Sequence, residues 1–428
     1  MSALVLVFLA TMALGVPIAL TMGMAGAFVI WQEDLADLML VPQQAFAGLD
    51  SFPLLAIPFF ILAAELMTGG RLTDVLLRFA AACVGRARGG LGHTNIVTLT
   101  LFSGISGSAL ADAAGPGAVI QRMMKDAGYA GPYGAALTAA TAIVGPIIPP
   151  SIIMVVYALT DNSVTINGLF LAGIVPGLLI SAALLAVNHV ISVRRGYRGV
   201  DARPAPREFL RLAVQAAPAL FLPVLIIGGI HGGAFTPTEA SAVAVFYAAL
   251  VGMLVYRTLR PGHIPAILTR TAVMTASVML IIAMSNIFGY VLTVLQVPQA
   301  VGEWIGSLGL SVILFLLVVN LFLLLFGIFI EPLPGVMILV PILAPLAGSM
   351  GVDPLHFAII VIVNLTLGMI TPPVGGLLFV TQVVSRERMG AIVRELWPFL
   401  GAQVAVLLLL TFVPALSTWL PNLLGYSK

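Results

Sequence analysis

The stretch GPIIPPS, residues 145–151, lies inside a long apolar segment, and a close copy, GMITPPVGG, lies at residues 368–376. A glycine followed shortly by two successive prolines ends an α-helix, because proline donates no backbone hydrogen bond and its ring clashes with the preceding turn. Each stretch therefore predicts an interruption within an otherwise apolar helix.

The composition around these stretches is that of a membrane protein. The chain has 428 residues, 60% of them hydrophobic and 8% charged, which lies far outside the range of soluble domains. Apolar stretches of about 20 residues, the length of a membrane-spanning helix, recur along the chain. No polar block is large enough for a soluble domain. The small net charge of +2 suggests no nucleic-acid partner, and the single Cys83 excludes an internal disulfide.

Hydropathy predicts nine membrane-spanning segments in the lipid bilayer. They are residues 3–30, 52–68, 133–159, 169–193, 212–230, 238–256, 271–295, 355–384 and 392–420. The first is interpreted as a retained helix rather than a signal peptide, since no basic region precedes it. Two further apolar regions, residues 91–124 and 310–347, are too long for one span and are interrupted by polar or proline-rich sequence.

The basic residues predict the orientation. Five connections lack Lys and Arg: residues 31–51, 161–168, 231–237, 297–309 and 348–354. The positive-inside rule places the other connections in the cytoplasm, which puts the N-terminus inside and the C-terminus in the periplasm. Arg71, Arg78, Arg86 and Arg88 are predicted to form the polar face of a cytoplasmic amphipathic arm. This assignment requires both leftover regions to be re-entrant hairpins that enter from opposite sides.

The two proline stretches share a register. Gly145 and Gly368 lie 223 residues apart (368 − 145), and the same offset pairs Gly104 with Gly327. Matching halves that start on opposite sides form an inverted-topology repeat, an architecture of secondary transporters. The predicted fold is an all-α polytopic membrane protein with a first repeat (1–195), a loop and connector helix (196–234) and a second repeat (235–428). Its hairpins are residues 91–124 and 310–347, and its broken helices are residues 133–159 and 355–384.

The hairpin tips carry the polar side chains. The first tip reads FSGISGSALAD, residues 102–112, and the second reads FGIFIEPLPG, residues 326–335. Asp112 and Glu331 are acids within these apolar regions, where a charge is costly unless it is partnered. Free carbonyls at a helix break suit a cation such as sodium, and helix N-termini suit anionic groups. The alternative is that Gly and Ser at the tips only allow close helix packing.

The tips and breaks, in this order and spacing, resemble the large membrane subunit of tripartite ATP-independent periplasmic (TRAP) transporters over essentially the whole chain. The resemblance implies a sodium-coupled importer of a small organic acid in the bacterial inner membrane, working by an elevator motion. It also implies two partners, a small four-helix membrane subunit and a soluble periplasmic substrate-binding protein. Since the first large-subunit helix begins the sequence, the small subunit is expected to be a separate chain.

The same resemblance implies the site residues. A first sodium site is expected at Ser103, Ser106, Gly145 and Ile148. A second is expected at Gly327, Gly368, Met369 and Thr371. Ser108, Asp112 and Ser151 are expected to face the substrate, and Asn364, just before the second break, to point toward the same cavity. No arginine is expected deep in the membrane, so a carboxylate would be held by helix N-termini, hydroxyls and bound cations.

Three other functions remain as alternatives. An intramembrane enzyme needs a nucleophile with a base or a set of metal ligands, and the chain has no HExxH, no Gly-x-Ser-x-Gly and no paired intramembrane aspartates. A channel fits opposed hairpins less well than alternating access does. A self-sufficient sodium-coupled dicarboxylate carrier of related architecture is the strongest alternative. Outside the tips, Glu65 is predicted to snorkel or to pair with a nearby arginine.

Overall fold

The structure is a computed structural model that describes residues 2–68, 72–199 and 205–426, and within these ranges every regular element is helical. The α-helices, in chain order, are α1 Ser2–Ala13, α2 Ile18–Gln32, α3 Leu40–Leu49, α4 Ala56–Thr68, α5 Leu72–Val84, α6 Gly90–Ser106, α7 Ala109–Ala114, α8 Pro116–Asp126, α9 Gly131–Ala142, α10 Ile152–Thr160, α11 Ile166–Arg195, α12 Pro206–His231, α13 Pro237–Leu250, α14 Ile264–Val294, α15 Val297–Ser307, α16 Val312–Gly327, α17 Pro332–Ser349, α18 Pro354–Gly368, α19 Gly376–Ser385, α20 Met389–Phe412 and α21 Ala415–Leu423. Short 3-10 turns form at Phe52–Leu55 and Pro261–His263, and a π-helical turn forms at Val251–Val255.

The described ranges contain six helices that are long and apolar enough to cross a membrane. They are Ile166–Arg195, Pro206–His231, Pro237–Val255, Pro261–Val294, Pro332–Ser349 and Met389–Phe412. The pair Leu40–Leu49 and Phe52–Met67, bent by 65°, makes a seventh if it is one span. The predicted all-α polytopic class is confirmed, but the nine predicted spans are not reproduced, because several apolar segments are divided into shorter helices.

The first predicted span, residues 3–30, is wrong as a single helix. It consists of α1 and α2, which pack against each other. Gly15 adopts φ +80°, a conformation that side-chain-bearing residues rarely adopt, and Pro17 directly precedes α2. The placement of the N-terminus in the cytoplasm assumed a single span here, so it does not follow from the structure.

Three connecting regions contain helices of their own. The connection 31–51 includes α3, and the connection 297–309 is mostly α15. The predicted amphipathic arm is α5, whose Leu72, Leu76, Leu77 and Ala80 are buried. Arg71, also predicted for this arm, lies outside the described residues.

Both predicted helix interruptions are present. The first separates α9 from α10 and covers residues 143–151. The second separates α18 from α19 and covers residues 369–375. Ser151 begins α10 by accepting the backbone N–H of Met154 on its hydroxyl oxygen, at 3.3 Å. Gly375, at φ +55°, precedes α19 in a conformation that favours glycine. The chain is thus unwound at both proline motifs.

The two predicted hairpin regions each contain two longer helices. The first is built from α6 and α8, which pack together and are joined by Gly107, by the one-and-a-half-turn helix α7 and by Gly115. The second is built from α16 and α17, separated by residues 328–331. In each region a side-chain amide ties the first helix to the neighbouring broken helix: Asn95 donates to Thr138 at 2.8 Å, and Asn364 donates to Asn320 at 2.6 Å.

The helices fall into two groups. The tip helices, α6–α11 and α16–α21, hold both tips and both breaks and pack closely among themselves, for example α10 against α17 and α19 against α7 and α9. The frame helices, α1–α5 and α12–α15, pack mainly on one another, with α14 in contact with α2, α3 and α4. The groups meet where α4, α5 and α12 contact α6 and where α14 and α15 contact α17. This meeting surface contains the cavities described next.

Candidate functional site

A cavity of about 560 Å³ lies between the frame helices and the two tips. Its frame wall comes from α4 and α14, and its other wall comes from the first tip, both breaks and the start of α17. Most of the lining is apolar. The polar and charged lining residues are Glu65, Thr73, Ser106, Ser108, Arg270, Ser277 and Glu331.

The first tip reaches the cavity through Ser106 and Ser108. Gly107 turns the chain at φ +58° and lies so close to the carbonyl of Pro150 that a side chain would not fit. Ser108 begins α7, and its hydroxyl oxygen accepts the N–H of Ala111 at 3.4 Å. The tip therefore lies directly on the first break, as a shared binding site would require.

The hydroxyls predicted for the first cation site have protein partners. Ser103 donates to the carbonyl of Leu99 at 2.7 Å, and Ser106 donates to Oδ1 of Asp112. Gly145 is fully buried beside Asp112: a Cβ at Gly145 would lie 2.7 Å from the aspartate Oδ2. Ile148 packs against Gly177 of α11. Ser106, Asp112 and Gly145 thus lie together between tip and break, and Ser103 lies three residues before Ser106 on α6.

The second tip and break form a matching contact. A Cβ on Gly368 would overlap the backbone of Gly327, so the backbones of the second tip and the second break are in direct contact at these two glycines. Thr371 donates to the carbonyl of Leu367 at 2.8 Å, and Met369 lines the large cavity. The residues predicted for the second site are therefore neighbours, as the shared register requires.

A second cavity, of about 500 Å³, lies on the far side of this tip. It is lined by residues 327–331, by Ser277, Leu280 and Ile281 of α14, and by residues 16–19 at the turn between α1 and α2. Ser277, Ile281, Glu331 and Met369 border both cavities. Glu331, at the start of α17, is thus placed between them.

Three of the four residues predicted to face the substrate do not line the large cavity. Ser108 does, but Asp112, Ser151 and Asn364 are fully buried behind its wall. Ser151 donates to the carbonyl of Pro146 at 2.6 Å, which ties the two ends of the first break together. Asp112 faces the first break, and Asn364 faces α16.

Arg270 is a cavity residue that sequence reasoning missed. Its Nε donates to Oε2 of Glu65 at 2.8 Å, and both side chains line the large cavity. The ion pair joins α14 to α4. The expected pairing of Glu65 with an arginine is confirmed, but no cavity role was predicted for Arg270, because it lies one residue before the predicted span 271–295.

Comparison with known proteins identifies the family. Residues 5–416 match the family described as "Tripartite ATP-independent periplasmic transporter, DctM component". The chain belongs to the DctM family. It is 41% identical over 407 residues to the C4-dicarboxylate TRAP transporter large permease protein DctM of Pseudomonas aeruginosa, covering 95% of each chain. It is also 41% identical to the sialic acid TRAP transporter large permease protein SiaM of Vibrio cholerae, covering 90% of each.

Two further similarities bear on the DctM-family assignment. The isethionate TRAP transporter permease protein DctMQ of Oleidesulfovibrio alaskensis is 39% identical over 94% of this chain and 63% of its own length. The solved Alcanivorax borkumensis YdaH transporter shares the fold, with a TM-score of 0.64 at 16% identity over 91% of this chain and 90% of that one. The family resemblance stated from the motifs is confirmed, and a DctM-family permease is a transport protein rather than an enzyme.

One prediction for this DctM-family chain concerns Asn364. Its amide donates to Oδ1 of Asn320 and to the carbonyl of Ile360, and Asn320 in turn donates to Thr411. We expect Asn364→Ala to destabilise the protein by about 1 kcal/mol, because it removes the donor for the buried Asn320 oxygen. The KM of uptake should stay within about twofold. Thermal unfolding in detergent and uptake kinetics check this, with the exposed Asn162→Ala as control. A raised KM at unchanged stability would instead assign Asn364 to the substrate.

Proposed function

We propose that the chain is the large membrane subunit of a sodium-coupled importer for a small organic anion, which a periplasmic binding protein delivers. The observation that carries this proposal is the large cavity, bounded by both tips and both breaks on one side and by α4 and α14 on the other. The family relatives are named for C4-dicarboxylate, sialic acid and isethionate transport, and all three substrates are small organic anions.

The cations in this proposal are two sodium ions, one at each pairing of tip and break. The first would be held at Ser103, Ser106, Gly145 and Ile148, and the second at Gly327, Gly368, Met369 and Thr371. Unwound carbonyl oxygens and hydroxyls are the ligand type that a hard cation prefers. The close glycine contacts at Gly145 and Gly368 support both positions. Gly145 brings the first break against the first tip, and Gly368 brings the second break against the second tip.

The proposed movement is an elevator motion of the tip helices against the frame helices. The two halves would be inverted-topology repeats with re-entrant hairpins, a reading supported by the 223-residue register and by the matching tip and break contacts. The cavity lies on the boundary between the groups, where sliding would carry the tips past α14. The basic side is proposed to be cytoplasmic, in a bacterial inner membrane.

Two partners complete the proposed transporter. One is a small four-helix membrane subunit, and the other is the soluble binding protein that brings the substrate. A self-sufficient dicarboxylate carrier of related fold would need neither, so dependence on the binding protein separates the two functions.

Reconstitution tests this proposal. We expect proteoliposomes containing the chain and its small subunit to accumulate the organic acid only when the binding protein is outside and sodium is higher outside than inside. Replacing external sodium with choline should abolish uptake. The substrate is first identified by a ligand screen on the binding protein. Equal uptake without the binding protein would favour the self-sufficient carrier, and equal uptake without a sodium gradient would refute sodium coupling.

A further inference from the structure

We infer that the carboxylate of Asp112 is a direct ligand of the cation at the first tip and break and supplies the negative charge that balances it. The inference rests on the proposed function, and it adds a charged ligand to the first of the two sites.

Asp112 is a buried carboxylate with one oxygen that lacks a hydrogen-bond partner among the described residues. Its side chain is fully buried on α7. Oδ1 accepts the hydroxyl of Ser106, whereas Oδ2 has no hydrogen-bond partner among the described residues. Three ion pairs occur in the described ranges, and Asp112 belongs to none of them. Burying an ionised carboxylate without a counter-charge is strongly unfavourable, so a partner is expected at Oδ2.

The direction of Oδ2 identifies that partner. A Cβ on Gly145 would lie 2.7 Å from Oδ2 and 3.1 Å from the carbonyl oxygen of Ala142. The free carboxylate oxygen and the carbonyl oxygen of Ala142, the last residue of α9, thus both lie close to Gly145, whose N–H donates to that carbonyl at 3.0 Å. Only glycine leaves this space open. A carboxylate and a carbonyl oxygen together are ligands for a hard cation, which would satisfy Oδ2 and neutralise its charge.

The second half has no acid at the position that matches Asp112; its tip acid, Glu331, lies four residues earlier and lines both cavities. The 223-residue offset that pairs Gly145 with Gly368 pairs Asp112 with Gly335. A Cβ on Gly335 would meet the side chain of Leu365, an apolar neighbour. Gly368 itself faces the backbone of Gly327 instead of a carboxylate. A cation bound at Asp112 therefore brings no net gain of charge to the first site, and the acid of the second tip, Glu331, borders a cavity together with Gly327 and Met369 of the second site.

Sodium-dependent stability tests the role of Asp112 without measuring transport. The chain, purified with its small membrane subunit, is heated in detergent while NaCl replaces choline chloride at constant ionic strength. A cation that binds the folded state raises the unfolding midpoint, and the stabilisation grows with the logarithm of one plus the ratio of its concentration to its Kd. We expect Asp112→Asn, which keeps the size and the acceptor for Ser106, to raise the apparent Kd for sodium at the first site at least about tenfold.

Three further variants keep the test decisive if Asp112→Asn does not fold. Gly145→Ala places a methyl group against Oδ2 and should weaken sodium binding in the same direction. Ser106→Ala leaves the carboxylate in place and should weaken it less. Glu303→Gln removes an exposed carboxylate on α15 and should match the wild type.

The outcomes separate this inference from the proposed function. Wild-type sodium stabilisation with an unchanged Kd in Asp112→Asn and in Gly145→Ala would overturn the role of Asp112 and leave sodium coupling intact. The absence of any sodium-specific stabilisation in the wild type would overturn sodium coupling as well. A tenfold weaker Kd in Asp112→Asn, together with an unchanged Kd in Glu303→Gln, supports the inference.

Discussion

Gly368→Ala should abolish uptake. The added methyl group would overlap the Cα and carbonyl carbon of Gly327, and neither group can move away as the end of a flexible side chain could. Overpacking of this kind typically costs about 1–3 kcal/mol. It would also separate the second tip from the second break. Because misplacement of a site by about 1 Å can cost about 100-fold in rate, we expect uptake to fall by at least that factor.

The measurement is uptake per folded protein, so expression level and gel-filtration profile are recorded for every variant. Gly401→Ala is the matched control. Gly401 lies within α20, and a Cβ there would have no neighbour within 4 Å. That change should leave uptake intact and slightly stabilise the helix, since alanine loses less backbone entropy than glycine. Normal uptake and a normal unfolding midpoint in Gly368→Ala would show that the close glycine contact is not needed.

The contact between Gly368 and Gly327 could be predicted from the sequence because each of these glycines belongs to a local motif. The Gly-x-x-x-Pro-Pro spacing breaks a helix by the chemistry of proline alone, and the 223-residue offset then pairs each break with a tip. The breaks, the tips and the family could therefore be predicted before any tertiary contact was known.

Other features could not be predicted because they depend on packing between distant helices. Averaged hydropathy passed over Gly15 and Pro17, so α1 and α2 were predicted as one span. Asn364 lies on α18, whose residues are buried on every side, so no periodicity shows which neighbour its amide faces. The family resemblance assigned Asp112 to the substrate, but its carboxylate lies against Gly145 of the first break, a contact that depends on how the tip packs on the break.

Arg270 is the clearest omission. Hydropathy begins the predicted span at Thr271 because an arginine marks the end of an apolar stretch, whereas α14 begins seven residues earlier, at Ile264. The continued helix carries the guanidinium onto the cavity wall, facing Glu65 of α4. A single span therefore supplies both an apolar wall and a cationic group to the same cavity.

Arg270→Gln should lower the kcat/KM of uptake by at least about tenfold, because a guanidinium hydrogen bond to an anion is typically worth about 1.5–3 kcal/mol. A guanidinium carries five N–H donors, so the single bond from Nε to Glu65 leaves donors to meet a substrate carboxylate. Arg270→Lys keeps the charge but loses the planar fork, and we expect an intermediate loss.

Glu65→Gln distinguishes substrate binding from a structural ion pair. If Arg270 serves only to hold α4 against α14, removing either partner should reduce uptake equally. If it binds the substrate anion, Arg270→Gln should be much the more severe change, and the double variant should match it. Arg195→Gln is the matched control, because Arg195 forms a comparable ion pair with Glu395 at 2.7 Å. Neither residue of that pair lines either cavity, so this change should leave kcat/KM nearly unchanged. Equal losses in Glu65→Gln and Arg270→Gln would remove Arg270 from the substrate site and leave the anion to the hydroxyl of Ser108, the helix N-termini and the bound cations.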